Sequence, residues 1–232
     1  VESPDRTIAV TLELTDTGSR EILWADRLVA PLDDIVELRA RIVAHLIAAL
    51  EIRIPMNEAR VARLYDPESL DAWASYHVGL GHLYRFTASE TALAHDCFER
   101  AVKADPQFAR AHAGLSFTSF LDAFLRQTPD PRGAARNARR HAERSLELDA
   151  LDPFANFTMG RSFWLTDEPE IAADWLDRAT ALNPNYAQGY YALAFTRMLS
   201  GNASSTYACL DTSLHLSPLD PLLYGFHGVR AQ

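Results

Sequence analysis

"ALNPNYAQGYYALA", residues 181 to 194, sets an Asn-Pro break between two stretches that otherwise read as helix, and "HLSPLDPLLYGF" at 215 to 226 repeats the break. Pro184 and Pro218 lie 34 residues apart, and the residues before them keep one register. Gly160 aligns with Ala194, Phe163 with Arg197, Ala172 with Thr206, Leu176 with Leu210 and Ala179 with Ser213. A period of this length marks an array of identical supersecondary units. In each unit a first helix, 153 to 166 or 187 to 200, meets a short turn, "TDE" or "GNA". A second helix then runs to the proline, which cannot continue it and biases its predecessor away from helical angles. Small residues fall where the helices must approach closely.

The pattern extends backward. Pro106 closes "LAHDCFERAVKADP", with Ala94, Phe98 and Ala101 standing where Ala172, Leu176 and Ala179 stand before Pro184. The partner helix, "LDAWASYHVGLGHLYRF" at 70 to 86, is about a turn longer than the minimum. Pro106 and Pro184 lie 78 residues apart, ten more than two units, and "RQTPDPRGA" at 126 to 134 is the expected place for the excess. The expected units are 69–106, 107–152, 153–186 and 187–220, with a truncated fifth helix over 221–232.

These positions resemble the tetratricopeptide repeat over about residues 69 to 232. The match is carried by Gly160, Phe163, Ala172, Ala179 and Pro184, and it weakens in the fourth unit at Arg197, Thr206 and Ser213. The resemblance implies a mainly α, right-handed superhelix of stacked hairpins with a concave inner surface, because one hairpin cannot cover both of its apolar faces.

Residues 1 to 68 read differently. "TIAVTLEL" alternates Ile8, Val10, Leu12 and Leu14 with Ala9, Thr11 and Glu13, and "REILWADRL" follows after "TDTGS", which predicts a β-hairpin. "DDIVELRARIVAHLIAALE" then puts Ile35, Leu38, Ile42, Leu46 and Leu50 on one helical stripe behind acidic Asp33 and Asp34. A two-stranded hairpin is marginal alone, so further strands upstream of Val1 are expected, and the exposed edge should be covered by a partner such as a second copy of the chain. The run from Val10 to Glu51, followed by "LDAWASYHVGLGHLYRFT", is similar to the end of a TolB-like α/β domain leading into tetratricopeptide repeats. Leu12, Thr17, Gly18, Trp24, Asp34 and Ile35 carry that likeness. It implies the regulatory half of a bacterial signalling protein whose upstream part is either a winged-helix DNA-binding domain or a nucleotide cyclase domain; the expected function is the interaction module of a transcriptional regulator, with an accessory domain of an adenylate or guanylate cyclase as the alternative.

Composition bounds the functions. With 232 residues and 48% hydrophobic content the chain can bury a sizeable core. A formal charge of −9 argues against direct nucleic-acid binding by this segment, which needs clustered Lys and Arg. Cys97 and Cys209 are too far apart in sequence for a metal-ligand pair and form no disulfide framework, so a cytoplasmic setting is expected. "IVAHLIAAL" at 42 to 50 is well short of a membrane span. The chain starts at Val1 without an initiator Met and reads as a piece of a longer protein.

No phosphate loop, zinc motif or nucleophile elbow is present, so no catalytic residue, metal or cofactor is expected. His77 and His82, five apart on a helix, diverge by more than about 100° and share no metal. Arg132, Arg136 and Arg140 align at i,i+4 spacing, with Arg139 and Arg144 nearby, as a solvated outer face. "NFT" and "NAS" are glycosylation sequons without meaning in the cytoplasm.

The inner-helix positions remain. They fall on Trp73, Tyr76, Leu80 and Leu83; Phe108, Ala111, Leu115 and Thr118; Phe154, Phe157, Arg161 and Trp164; Gln188, Tyr191, Phe195 and Met198. Repeats that grip a C-terminal carboxylate place Lys, Asn and Arg here, and only Arg161 fits. The expected site is therefore an apolar groove for a protein or peptide partner, with Trp73, Tyr76, Leu80, Leu115, Phe157, Arg161, Trp164, Tyr191, Phe195 and Met198 as candidates.

Overall fold

The computed structural model describes residues 7–62, 70–217, 225, 228 and 229. Most of the expected fifth helix, and residues 63–68 of the linker, lie outside them. The chain divides into two compact units, Val1–Asn57 and Glu58–Gln232.

In the first unit, β1 (Thr7–Thr15) and β2 (Ile22–Pro31) pair antiparallel, from Thr7 opposite Pro31 to Leu14 opposite Trp24. The Asp16 carboxylate closes the turn by accepting from the backbone N–H groups of Gly18 and Ser19 at 2.8 and 2.7 Å. After a 3-10 turn at Leu32–Asp34 comes α1 (Ile35–Ala62). Leu28, Ala30 and Leu38 form a small core against which Ile8, Val10, Leu12 and Ile42 pack.

Two expectations for α1 are corrected. The stripe is not inward throughout, because Ile35, Leu46 and Leu50 are exposed, whereas Leu38 and Ala49 are buried. One turn of the helix is held to β2 by a polar pair, the His45 Nδ1 lying 2.7 Å from the Asp26 carboxylate. The helix also continues beyond Glu51, carrying Pro55 within it.

The second unit is built from four helical hairpins: α2 (Ala72–Leu83) with α3 (Ala88–Ala104), α4 (Ala109–Phe124) with α5 (Pro131–Leu148), α6 (Pro153–Ser162) with α7 (Pro169–Leu182), and α8 (Ala187–Leu199) with α9 (Ala203–Leu216). The second helices α3, α5 and α7 each pack on the first helix of the next hairpin. The first helices α2, α4, α6 and α8 also pack on one another in succession, forming a continuous inner layer. This is a helical-repeat superhelix.

One cap, made four times, ends each hairpin. Asp105, Asp149, Asn183 and Ser217 take φ between −134° and −147°, and each donates its N–H to the carbonyl four residues back. At the first three the side-chain oxygen also accepts the N–H two residues on, at 2.9 to 3.0 Å. Asn and Asp favour such turns because the short side chain mimics a backbone acceptor. Within the hairpins the turns also agree, since Phe86, Arg126, Asp167 and Gly201 all have φ between 52° and 72°.

Close approach explains the small residues. Phe98 is fully buried between two inner helices, and a Cβ on Gly79 or Gly114 would meet its ring at 2.6 or 2.7 Å. Ala94, Ala101, Ala172 and Ala179 are likewise fully buried. In the second and fourth hairpins serine takes the place of Ala101 and Ala179. Ser145 donates to the Ala109 carbonyl at 2.8 Å and Ser213 to the Ala187 carbonyl at 2.7 Å, so neither hydroxyl is buried without a partner.

Only part of the ten extra residues of the second unit lies in the expected loop at 126 to 134, because α5 already starts at Pro131. The turn over 125–130 is longer than the one over 167–168, α4 and α5 take up the rest, and Pro131 begins α5 at a position where proline lacks no needed donor.

Candidate functional site

The inner layer carries most of the aromatic residues of the repeats, and the approach of its helices decides which of them reach the surface. Tyr76, Leu80, Leu115, Phe157 and Arg161 do not, because each is at most 8% exposed and lies inside the seam between neighbouring hairpins. The expectation that these five line an open groove is corrected. At seams this tight, side chains directed along the layer are enclosed by the next repeat. Burial also holds the Tyr76 hydroxyl firmly in its protonated form.

Trp73 is half exposed at the start of α2, with its ring 4.1 Å from His77 and 6.4 Å from Phe108. Trp164, Tyr191, Phe195 and Met198 are half-buried and pack against the main core. Trp164 and Phe195 belong to a node of rings in which three successive hairpins each supply one. Phe124 lies 6.0 Å from Trp164 and 6.2 Å from Phe195, and those two lie 4.6 Å apart. Phe120 closes the node from beneath, 5.1 Å from Phe124 and 5.7 Å from Trp164. The Trp164 indole N–H donates to the Thr196 hydroxyl at 2.8 Å.

Phe124 is 42% exposed, and the residues following Phe124 and Met198, Leu125 and Leu199, are exposed as well. These three were not among the expected site residues. The regular spacing of inner positions stops at Thr118, whereas α4 runs to Phe124. The signal was the i, i+3, i+7 series Phe117, Phe120 and Phe124 at the end of the one lengthened inner helix.

Arg161 serves the node from within. Its guanidinium lies 4.0 Å from the Phe120 ring centroid, 4.4 Å from Phe117 and 5.2 Å from both Phe157 and Trp164. Desolvated cation–π contacts reach about 2 kcal/mol, so the cation stiffens the rings around it.

Polar contacts join the hairpins elsewhere. Asp152 caps α6 through the Ala155 N–H at 3.0 Å and accepts from Arg110 on α4 at 2.6 Å. Arg197 donates to Asp177 at 3.0 Å and to the Cys209 sulfur at 3.1 Å. Cys97 and Cys209 are buried free thiols, and burial raises the pKa of both. Arg132, Arg136 and Arg140 are exposed on α5. Arg139 instead turns inward, its guanidinium 3.5 Å from the Phe163 ring and its Nε donating to the Ser162 hydroxyl at 2.8 Å. His77 meets the Trp73 carbonyl, whereas His82 meets Glu90. Among the described residues no three His, Cys, Asp or Glu side chains are arranged to hold a metal, and no helix is long and apolar enough to cross a membrane.

No family model matches the chain. Over 174 residues it is 27% identical to a Rhizobium meliloti (strain 1021) protein named "Putative adenylate cyclase 3", a stretch covering 71% of this chain and 29% of that protein. The chain thus spans less than a third of that relative's length. The crystal structure of TTC0263, a thermophilic TPR protein in Thermus thermophilus, superposes with a TM-score of 0.59 at 18% identity, covering 84% of this chain and 97% of that one. The structure of MamA aligns over 62% of this chain and 82% of its own at 23% identity, with a TM-score of 0.42. The TTC0263 likeness shows the fold, a tetratricopeptide-type array of helical hairpins.

Proposed function

We propose that the repeats form a non-catalytic protein-interaction module, the regulatory part of a longer bacterial signalling protein working in the cytoplasm. The division is an α/β end over residues 1–68 and repeats over 69–232. The observation that carries this reading is the node of Phe124, Trp164 and Phe195, where three hairpins bring large rings together at a partly exposed surface. Aromatic clusters with a rigid base are the surfaces on which binding energy concentrates. The partner is a protein segment with an apolar face, on another protein or on a second copy of this chain.

The test compares the wild-type chain with Phe124→Ser and Phe195→Ser as baits. A protein retained by the wild type and lost by both variants, with helical circular dichroism unchanged, supports the reading. Equal retention by all three baits overturns it.

Two larger settings are open to such a module. The cyclase-named relative favours an accessory domain that tunes an adenylate cyclase. The likeness of residues 10–51 to a TolB-like segment also suits a winged-helix transcriptional regulator. The reading frame encoding the parent protein separates them: a cyclase catalytic domain supports the first and a winged helix the second.

A further inference from the structure

Three histidines lie where α3, α4 and α5 meet, and the aromatic inner layer uses none of them. His112 is buried on α4, with its Nε2 3.3 Å from the Pro106 carbonyl oxygen in the α3–α4 linker. Its Nδ1 is 3.4 Å from the Nδ1 of His141 on α5. A carbonyl can only accept, so the His112 proton sits on Nε2 and its Nδ1 is an acceptor. His141 must then donate from Nδ1. One backbone oxygen thereby sets the tautomers of both rings, which lie 25° from parallel with centroids 5.7 Å apart.

We propose that the His112–His141 contact is a proton-operated latch on the second hairpin, closed while His112 keeps a bare Nδ1 and opened when that nitrogen is protonated. A first proton enters at the His141 Nε2 and leaves the N–H···N contact intact. A second has to enter at the His112 Nδ1, which sets one N–H against another and breaks the tie between α4, α5 and the linker.

The surroundings resist both protons. On α5 stand Arg140 and Arg144, the latter bonded to Glu147 at 2.9 Å. On α3, His95 meets the Thr118 hydroxyl at 3.0 Å and the Glu99 carboxylate at 3.4 Å. The linker's Asp105 carboxylate accepts from the Gln107 N–H at 2.9 Å, and Arg110 on α4 is bonded to Asp152. From α6, which packs against α5, Ser162 accepts from Arg139 and Arg161 lies over the ring node. Burial, then Arg140, then His112 push His141 down to about 4, and burial lowers His112.

Both histidines therefore bind protons less readily in the folded chain than in the unfolded one. Their neutral pair contributes stability fully above pH 6.5, and that contribution is lost as pH falls toward 4. Since α4 also carries Phe120 and Phe124, opening the latch loosens the base of the ring node.

The test measures urea unfolding midpoints from pH 6.5 to 4 for the full chain and for His112→Phe/His141→Phe, which keeps two stacked rings but cannot titrate. The wild type should take up more protons on unfolding than the variant, giving it the steeper loss of stability as pH falls. Equal slopes overturn the latch. Nitrogen NMR of the wild-type imidazoles decides the matter even if the variant does not fold. His112 protonated on Nε2 and His141 on Nδ1 at neutral pH supports the proposal, whereas His112 protonated on Nδ1, or His141 titrating at an ordinary pKa, overturns it.

Discussion

The Trp164 indole N–H donates to the Thr196 hydroxyl at 2.8 Å, and that hydroxyl donates in turn to the Ala192 carbonyl at 2.9 Å. The ring that completes the exposed node is thus tied to the backbone of the following inner helix. Trp164→Phe keeps the aromatic contacts and removes the bond, and should cost about 1 kcal/mol in chemical denaturation. Trp164→Ala also empties the space against Phe120, Phe124 and Phe195, and should cost about 3–5 kcal/mol. Equal losses for the two variants would show that the ring packing contributes little.

Gly114 is held to its identity by Phe98, since a methyl there would meet the ring at 2.7 Å. Gly114→Ala should destabilise the chain by about 1–3 kcal/mol, the usual range for overpacking. Adding Phe98→Leu should recover part of that loss. Thermal unfolding of the single and double variants, read as a double-mutant cycle, measures the coupling.

The hairpin turns supply a prediction of opposite sign. Arg126 is exposed with φ 53°, a conformation that costs a side-chain-bearing residue about 1–2 kcal/mol. Arg126→Gly should raise the unfolding free energy by up to about 1 kcal/mol, because glycine also loses more freedom on folding. Gly201→Ala, at φ 72°, should lower it.

Burial predicts the behaviour of the thiols. Cys97 and Cys209 have raised pKa values, burial being the main cause in both, and the neighbouring Arg100 and Arg197 only offset it in part. Fewer thiolates are present than in an exposed cysteine at the same mildly alkaline pH, and neither sulfur is accessible. Both should react with a disulfide reagent only as fast as the chain opens, and at ordinary thiol rates in urea. Rapid labelling of the folded chain would contradict this.

How much of this the sequence revealed differs from element to element. The breaks at Asp105-Pro106 and Asn183-Pro184 were readable because a cap depends on a few adjacent residues, and the structure repeats the same local geometry at each. Ser213 looked like a departure from the repeat, yet its hydroxyl bonds the Ala187 carbonyl across the hairpin, a contact between residues distant in the chain. The surface was harder to read. Tyr76 and Phe157 share a helical face with Trp73 and Trp164 in any projection, but how closely the next helix approaches decides which are enclosed. Phe124 depended on the length of α4, and the Asp26–His45 pair joins residues distant in the chain.

The four shared caps carry a further consequence. Where Asp105, Asp149 and Asn183 each end a helix in the same backbone shape, the chain leaves every hairpin in a like direction whatever that hairpin contains. The second hairpin could thus grow at its far end, by longer helices and a longer turn, while the junctions with its neighbours stayed alike. Length can be added or removed within a module without redrawing the path of the modules that follow, so an array of this kind tolerates change hairpin by hairpin.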